Sequence, residues 1–156
     1  MMFNIRTTTP HVPEVAAVIR AHNAFCAATS PAESCHKLTA SQLDVPAITL
    51  WCAWRAEEVL GIGALKLLDD GAGEVKSMHT VAAARGTGVG RAIVETIVNA
   101  ARAKHLTRLW LETGTAPQFA AARALYARLG FANCPPFGDY KFDPHSAFYT
   151  LALTGD

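Results

Sequence analysis

No stretch of the 156-residue chain approaches the roughly 18 uncharged apolar residues of a membrane span, because charged or polar side chains interrupt every run. Cys-x-x-Cys and His-x-x-x-His pairs are both missing: Cys26, Cys35, Cys52 and Cys134 are not closely paired, and the six histidines are scattered. Reduced, partly buried thiols and no bound metal are therefore expected. Charge of one sign is also lacking. A formal net charge of +1 gives no reason to expect nucleic acid as a partner. The opening Met1-Met2-Phe3-Asn4-Ile5-Arg6 has no basic region followed by an apolar core. No secretory signal is expected, and the protein reads as cytoplasmic with no membrane partner.

What is present is an apolar fraction of 51% with only 17% charged residues, so disorder is not expected. No linker, repeat or low-complexity segment divides the chain, and residues 1–156 read as one domain. A domain of this size buries roughly two thirds of the surface that its unfolded chain exposes. Acids predominate over residues 57–74 and bases over 85–108. That division fits two solvated faces, or a second segment that faces an anion.

Phe3 to Thr8 alternates as a strand, and Pro13 opens a helix with Val15, Val18, Ile19 and His22 on one face. A second short helix is expected from Glu33 to Leu43. Ile48–Trp54 and Val59–Leu68 read as a hairpin turning at Arg55–Glu58. Asp69-Asp70-Gly71-Ala72-Gly73 is a turn before a strand from Glu74 to about Val81. The period then changes. Arg85-Gly86-Thr87-Gly88-Val89-Gly90 leads into a helix carrying Ile93, Ile97 and Ala100, and Leu106–Glu112 is a strand. Thr115-Ala116-Pro117 begins another helix, with its cap before the proline, and Gly130 ends it. Phe131 onward and Ala147–Leu153 supply two closing strands. Antiparallel strands followed by one strand–helix–strand–helix unit make a mixed α+β fold.

A strand entering a glycine-rich turn and then a helix can hold an anion: converging N–H groups meet the positive end of the helix dipole. A tight turn with no ligand is the plainer reading. A P-loop is excluded because no Gly-Lys-Ser/Thr follows. A dinucleotide fold has strand, glycines, helix, strand and Glu112 in order, but its third glycine comes too early and its loop belongs after the first strand.

Arg85-x-x-Gly88-x-Gly90 resembles the coenzyme A pyrophosphate loop of the GNAT superfamily of N-acetyltransferases, written Gln/Arg-x-x-Gly-x-Gly/Ala. Residues 118–131, with Ala122, Leu125-Tyr126 and Gly130-Phe131, are similar to the helix that follows in that superfamily, and Phe119 stands where it often has Asn. The resemblance covers essentially the whole chain and looks like a bacterial branch of small members. It implies a central, mostly antiparallel twisted sheet of about six or seven strands flanked by about four helices. The implied activity is acetyl transfer from acetyl-CoA to a primary amine of a small molecule, by direct transfer in a ternary complex. A monomer or homodimer would suit it.

The resemblance further implies that Arg85, Gly86, Thr87, Gly88, Val89, Gly90 and Arg91 hold the pyrophosphate, chiefly through main-chain N–H groups. Met78-His79-Thr80 would bulge away from Leu109-Trp110-Leu111 and open a slot for the pantetheine arm and thioester oxygen. Tyr126 matches the tyrosine that protonates the departing thiolate; a hydroxyl of pKa near 10 remains a donor above a thiol of about 8.5. It also reads as a core aromatic, and both roles are compatible. Glu74, eleven residues before Arg85 at the start of the strand leading into the loop, matches a glutamate general base, or else a surface residue starting a strand. His79 reads more simply as structural than as a base. Glu33, His36, Lys76 and Tyr140 lie in segments expected to form the acceptor pocket, where Lys76 would suit an acid group on the acceptor. Two rivals stand: a non-catalytic module sensing acyl-CoA or a partner, and an NAD(P)-dependent oxidoreductase.

Overall fold

The structure, a computed structural model, describes residues 2–153, with Glu33 described through its backbone alone. Its strands are β1 (Asn4–Thr8), β2 (Ile48–Arg55), β3 (Glu58–Leu67), β4 (Gly73–Thr80), β5 (Arg108–Gly114), β6 (Ala132–Asn133) and β7 (Ser146–Ala152). They form one seven-stranded sheet in the order β1-β2-β3-β4-β5-β7-β6. The helices are α1 (Pro13–Thr29), α2 (Ala40–Leu43), α3 (Val89–Ala103) and α4 (Ala120–Arg128). This is the expected α+β architecture, and every strand pair except β4–β5 is antiparallel.

Apolar spacing explains the layering. Val89, Ile93, Val94, Ile97 and Ala101 recur at helical intervals and are buried under α3. They pack with Leu109, Leu111, Tyr126 and Phe131 on one side of the sheet. On the other side, Val15, Val18 and Ile19 of α1 close over Leu43, Leu50 and Ile62. β2 and β3 are covered on both faces, which is why their central residues read as continuous buried runs rather than alternating ones.

Several boundaries differ from expectation for local reasons. Glu33–Leu43 is not one helix: a single 3-10 turn, Ala32–Ser34, is followed by extended chain, and α2 begins only at Ala40. Thr39 sets that start through a capping box, its hydroxyl accepting from the Gln42 N–H while the Gln42 side chain accepts from the Thr39 N–H. Replacing Thr39 by Ala is expected to cost about 1 kcal/mol, a loss of roughly 2–4 °C in Tm that calorimetry would read. Thr115 caps no helix; Pro117–Phe119 forms a 3-10 turn before α4, without a side-chain cap. The strand after Phe131 is only two residues long. Cys134 still donates its N–H to the Phe148 carbonyl, and then come Pro135 and Pro136, neither of which offers an N–H to a ladder. Residues 134–145 instead cross the sheet face on the α1 side.

The β4–β5 pairing positions the site. It runs parallel for three rungs, Gly73↔Leu109, Glu74↔Trp110 and Val75↔Leu111, and then ends. The register against β3 jumps from Ala64↔Lys76 to Ile62↔His79, and Ser77 takes a left-handed φ of 56°. This is the expected bulge, with one correction. Leu109–Leu111 are the paired stretch, and the strands part between Lys76–Thr80 and Glu112–Gly114.

Candidate active site

Where β4 and β5 part, a cavity of about 100 Å³ opens between the sheet, the end of α1, the turn at Ala32–Ser34 and α4. Tyr126, Glu74, Lys76, His36 and Met78 line it, so the fold gathers residues that the sequence holds far apart. The side chain of Glu33 lies outside the described residues.

Tyr126 is only 4% exposed and packs against Phe131 and Tyr149, with ring centroids 5.8 and 6.2 Å away. Burial, reinforced by the charge of Glu112, pushes its hydroxyl above the ordinary tyrosine pKa. Tyr126 is thus both a core aromatic and a lining residue of the cavity. Phe119, at the variable position of the motif, also lines the cavity and packs edge-on against Phe25 at 5.2 Å. Its ring occupies the space that a Cβ on Gly114 would need, which explains a glycine at the end of β5.

Glu74 is not a strand-opening surface residue. Its side chain is 7% exposed, and a single oxygen, Oε2, accepts from the Tyr140 hydroxyl at 2.6 Å and from Lys76 Nζ at 3.1 Å. Lys76 Nζ also donates to the Tyr140 hydroxyl at 2.9 Å. The Lys76 charge is therefore matched by a protein carboxylate. Burial, followed by the Glu74 charge, raises the Tyr140 pKa. His36 packs edge-on against Tyr140 at 4.8 Å, and burial followed by the nearby Lys76 lowers its pKa. The Ser34 hydroxyl donates to Asp143, joining the segment before α2 to the 134–145 loop. That bond, with the His145 N–H, holds Asp143 below the usual carboxylate range.

His79 faces α1. Its Nδ1 lies 3.2 Å from Nδ1 of His22, whose Nε2 is 3.7 Å from Cys26 Sγ. Burial lowers both histidines to about 4, helped at His22 by His79 and at His79 by Arg85, so both are neutral at physiological pH. Burial likewise lifts the Cys26 thiol to about 11.

Beside the cavity, the chain from β4 into α3 forms an open cradle. Gly86 and Gly88 adopt left-handed φ values of 76° and 91°, and a Cβ at either would meet nothing within 4 Å. Gly88 caps α3 without a side-chain partner, and the N–H groups of residues 86–91 have none among the described residues. Arg85 Nε donates to the Thr80 carbonyl at 3.3 Å, with its guanidinium 5.6 Å from the Phe25 ring centroid. Unpaired donors at the start of a 15-residue helix fit a pyrophosphate.

Sequence reasoning passed over Glu112, which appeared only as the acid of the rival dinucleotide reading. It lines the cavity, and burial raises its pKa to about 7, with Ser146 and then the Lys76 charge acting against that. The available signal was an acid ending the apolar run Leu109-Trp110-Leu111 at the carboxyl end of a parallel strand.

Comparison with known proteins agrees with this geometry. The model of the Acetyltransferase (GNAT) family matches residues 16–131. The chain is 45% identical over 152 residues to the uncharacterized N-acetyltransferase YedL of Escherichia coli K12, covering 97% of this chain and 96% of the relative. It is 43% identical over 125 residues to the IAA acetyltransferase of Azospirillum brasilense, covering 79% and 80%. Among solved structures, one from Klebsiella pneumoniae, described as an acyl-CoA N-acyltransferase, superposes with a TM-score of 0.83 at 28% identity and covers 98% of this chain and 99% of that one. With loop, parted strands and tyrosine helix all in place, the chain belongs to the Acetyltransferase (GNAT) family and is an acetyltransferase.

Proposed function

We propose that the protein moves the acetyl group of acetyl-CoA to a primary amine of a small molecule, by direct transfer in a ternary complex. The observation that carries this reading is the cradle of unpaired N–H groups at 86–91 beside a cavity holding a buried tyrosine and two carboxylates. Acetyl-CoA supplies an acyl group already activated as a thioester. Gly86 to Arg91 hold its pyrophosphate through main-chain donors and the start of α3. The β5-facing edge of β4 beyond Val75 has no strand partner, so backbone groups of Met78, His79 and Thr80 are available to orient the pantetheine arm and polarise the carbonyl. Tyr126 is the proton donor to the departing thiolate, and burial keeps it protonated throughout the neutral range. His36, Lys76 and Tyr140 shape the acceptor side.

Thermal unfolding with acetyl-CoA, CoA, NAD and NADP in parallel tests the reading. Ligand at 100 times its Kd adds about 2.7 kcal/mol, a rise of several degrees in Tm. That rise is expected with acetyl-CoA and CoA alone. A rise with NAD or NADP instead would overturn the loop assignment. Stabilisation by acetyl-CoA with no thiol released across an amine panel would favour a sensing module; IAA, named for the Azospirillum relative, belongs in that panel.

A further inference from the structure

We infer that Phe25 and Phe119 form an aromatic arch over the reacting thioester, and that this arch sets which nucleophile the acetyl group meets by keeping water off it. The inference deepens the transferase reading above and rests on it.

Two separate stretches of chain build the arch. On α1, the stripe Val15, Val18 and Ile19 that covers the sheet continues at helical spacing through His22, Phe25 and Cys26. That spacing brings the Phe25 ring to β4, edge-on to His79 with centroids 6.0 Å apart. On the opposite bank, Phe119 closes the 3-10 turn that follows β5. Arg123 pins this turn, its Nη1 donating to the Gly114 and Ala116 carbonyls at 2.7 and 3.1 Å. The Phe119 ring lies against Gly114, where only the lack of a Cβ leaves room for it.

One ring therefore stands on each side of the gap that opens once the pairing of β4 with β5 ends at Val75↔Leu111. The rings meet across it with centroids 5.2 Å apart and planes at 74°, a favourable T-shaped contact. From the pyrophosphate cradle, the Arg85 guanidinium covers Phe25 at 5.6 Å. Both rings are half-buried, yet neither is part of the two apolar cores that hold the sheet to its helices. Packing of the fold does not account for them.

The arch and the acceptor side lie at opposite ends of the parted stretch of β4: Phe25 at His79, and Tyr140 at Lys76. An amine bound at the Lys76 end closes that opening with its own body, while the arch closes the other. The groups beside the arch already sit in a water-poor place. Burial is the largest influence on His22, His79 and Cys26, holding the histidines at about 4 and the thiol at about 11, so all three are uncharged at neutral pH.

Without the arch, water reaches the polarised carbonyl carbon. Its oxygen bonds to that carbon and the C–S bond breaks. One water proton goes to the sulfur and the other leaves the new carboxylic acid for solvent, giving acetate and free CoA with no acceptor consumed.

The test needs no acceptor. Saturating acetyl-CoA is given to the protein in water labelled with heavy oxygen, and thiol release and label in the acetate are followed. Phe25→Ala and Phe119→Ala are each expected to raise acceptor-independent thiol release about 10-fold over wild type, with the label in the acetate. Either substitution opens the same arch, so the double variant should exceed the faster single variant by no more than about twofold. Single-variant rates equal to wild type, or single effects that multiply in the double variant, would overturn the inference. Should an alanine variant lose the acetyl-CoA thermal shift, Phe25→Leu and Phe119→Leu carry the same comparison with a smaller rise expected, and leucine rates equal to wild type would then overturn it. Stabilisation of the wild type by acetyl-CoA and its amine-dependent thiol release test the transferase reading and do not depend on the arch, so the two failures are distinguishable.

Discussion

Tyr126→Phe is expected to lower kcat by about 10²- to 10³-fold while leaving the acetyl-CoA thermal shift and the overall Tm unchanged. The expected effect is confined to catalysis because of the packing. Phe preserves the ring that touches Phe131 and Tyr149, and the hydroxyl makes no hydrogen bond among the described residues that the fold would lose. What disappears is the only O–H on α4 that reaches the cavity beneath the parted strands. Burial and the Glu112 charge raise this pKa, so the tyrosine remains a donor well above neutral pH, and wild-type turnover should show no basic loss from it until beyond the usual tyrosine range. Single-turnover thiol release in the two proteins measures the effect. Equal rates would remove Tyr126 from the chemistry and leave it a core aromatic.

Ile93→Ala carries the largest expected cost in stability, about 3 kcal/mol and roughly 10 °C in Tm. Ile93 is fully buried, and α3 lies so close to β3 that a Cβ on Gly63 would come within 2.6 Å of its side chain. The sheet therefore cannot fill the vacated volume from that side. Because α3 also presents the pyrophosphate cradle, the variant should still gain stability from acetyl-CoA, from a lower starting temperature. A melting temperature within about 2 °C of wild type would mean that Ile97 and Val94 collapse into the gap.

The parts legible in sequence are those whose meaning is local. Glycines 86, 88 and 90 ahead of an amphipathic helix, and Leu125-Tyr126 before Gly130-Phe131, carry their geometry within one or two turns of chain. The bulge and parting of β4 also follow from a recognisable segment. The place of Glu112 in the cavity does not, because it is created by where β4 stops pairing. Tyr140 is 66 residues from Glu74, and only the path of the 134–145 loop brings them to 2.6 Å. The overlong helix at 33–43 failed for a short-range reason: Thr39 and Gln42 fix the start of α2 more strongly than the residues before it favour a helix.

The three-rung joint between β4 and β5 has a mechanical consequence. β1 to β4 form a meander of antiparallel neighbours, and β5 to β7 form a second unit; the two meet through those three rungs alone. Little of the ladder resists a hinge motion along that line, so rigidity has to come from side chains that span it. Tyr140 does so, reaching from the far bank to Glu74 and Lys76, while Ser34 and Asp143 fasten the same loop to the α1 side. These bonds act as stays across an opening, setting how wide the two halves can swing while leaving the slot itself free for an occupant.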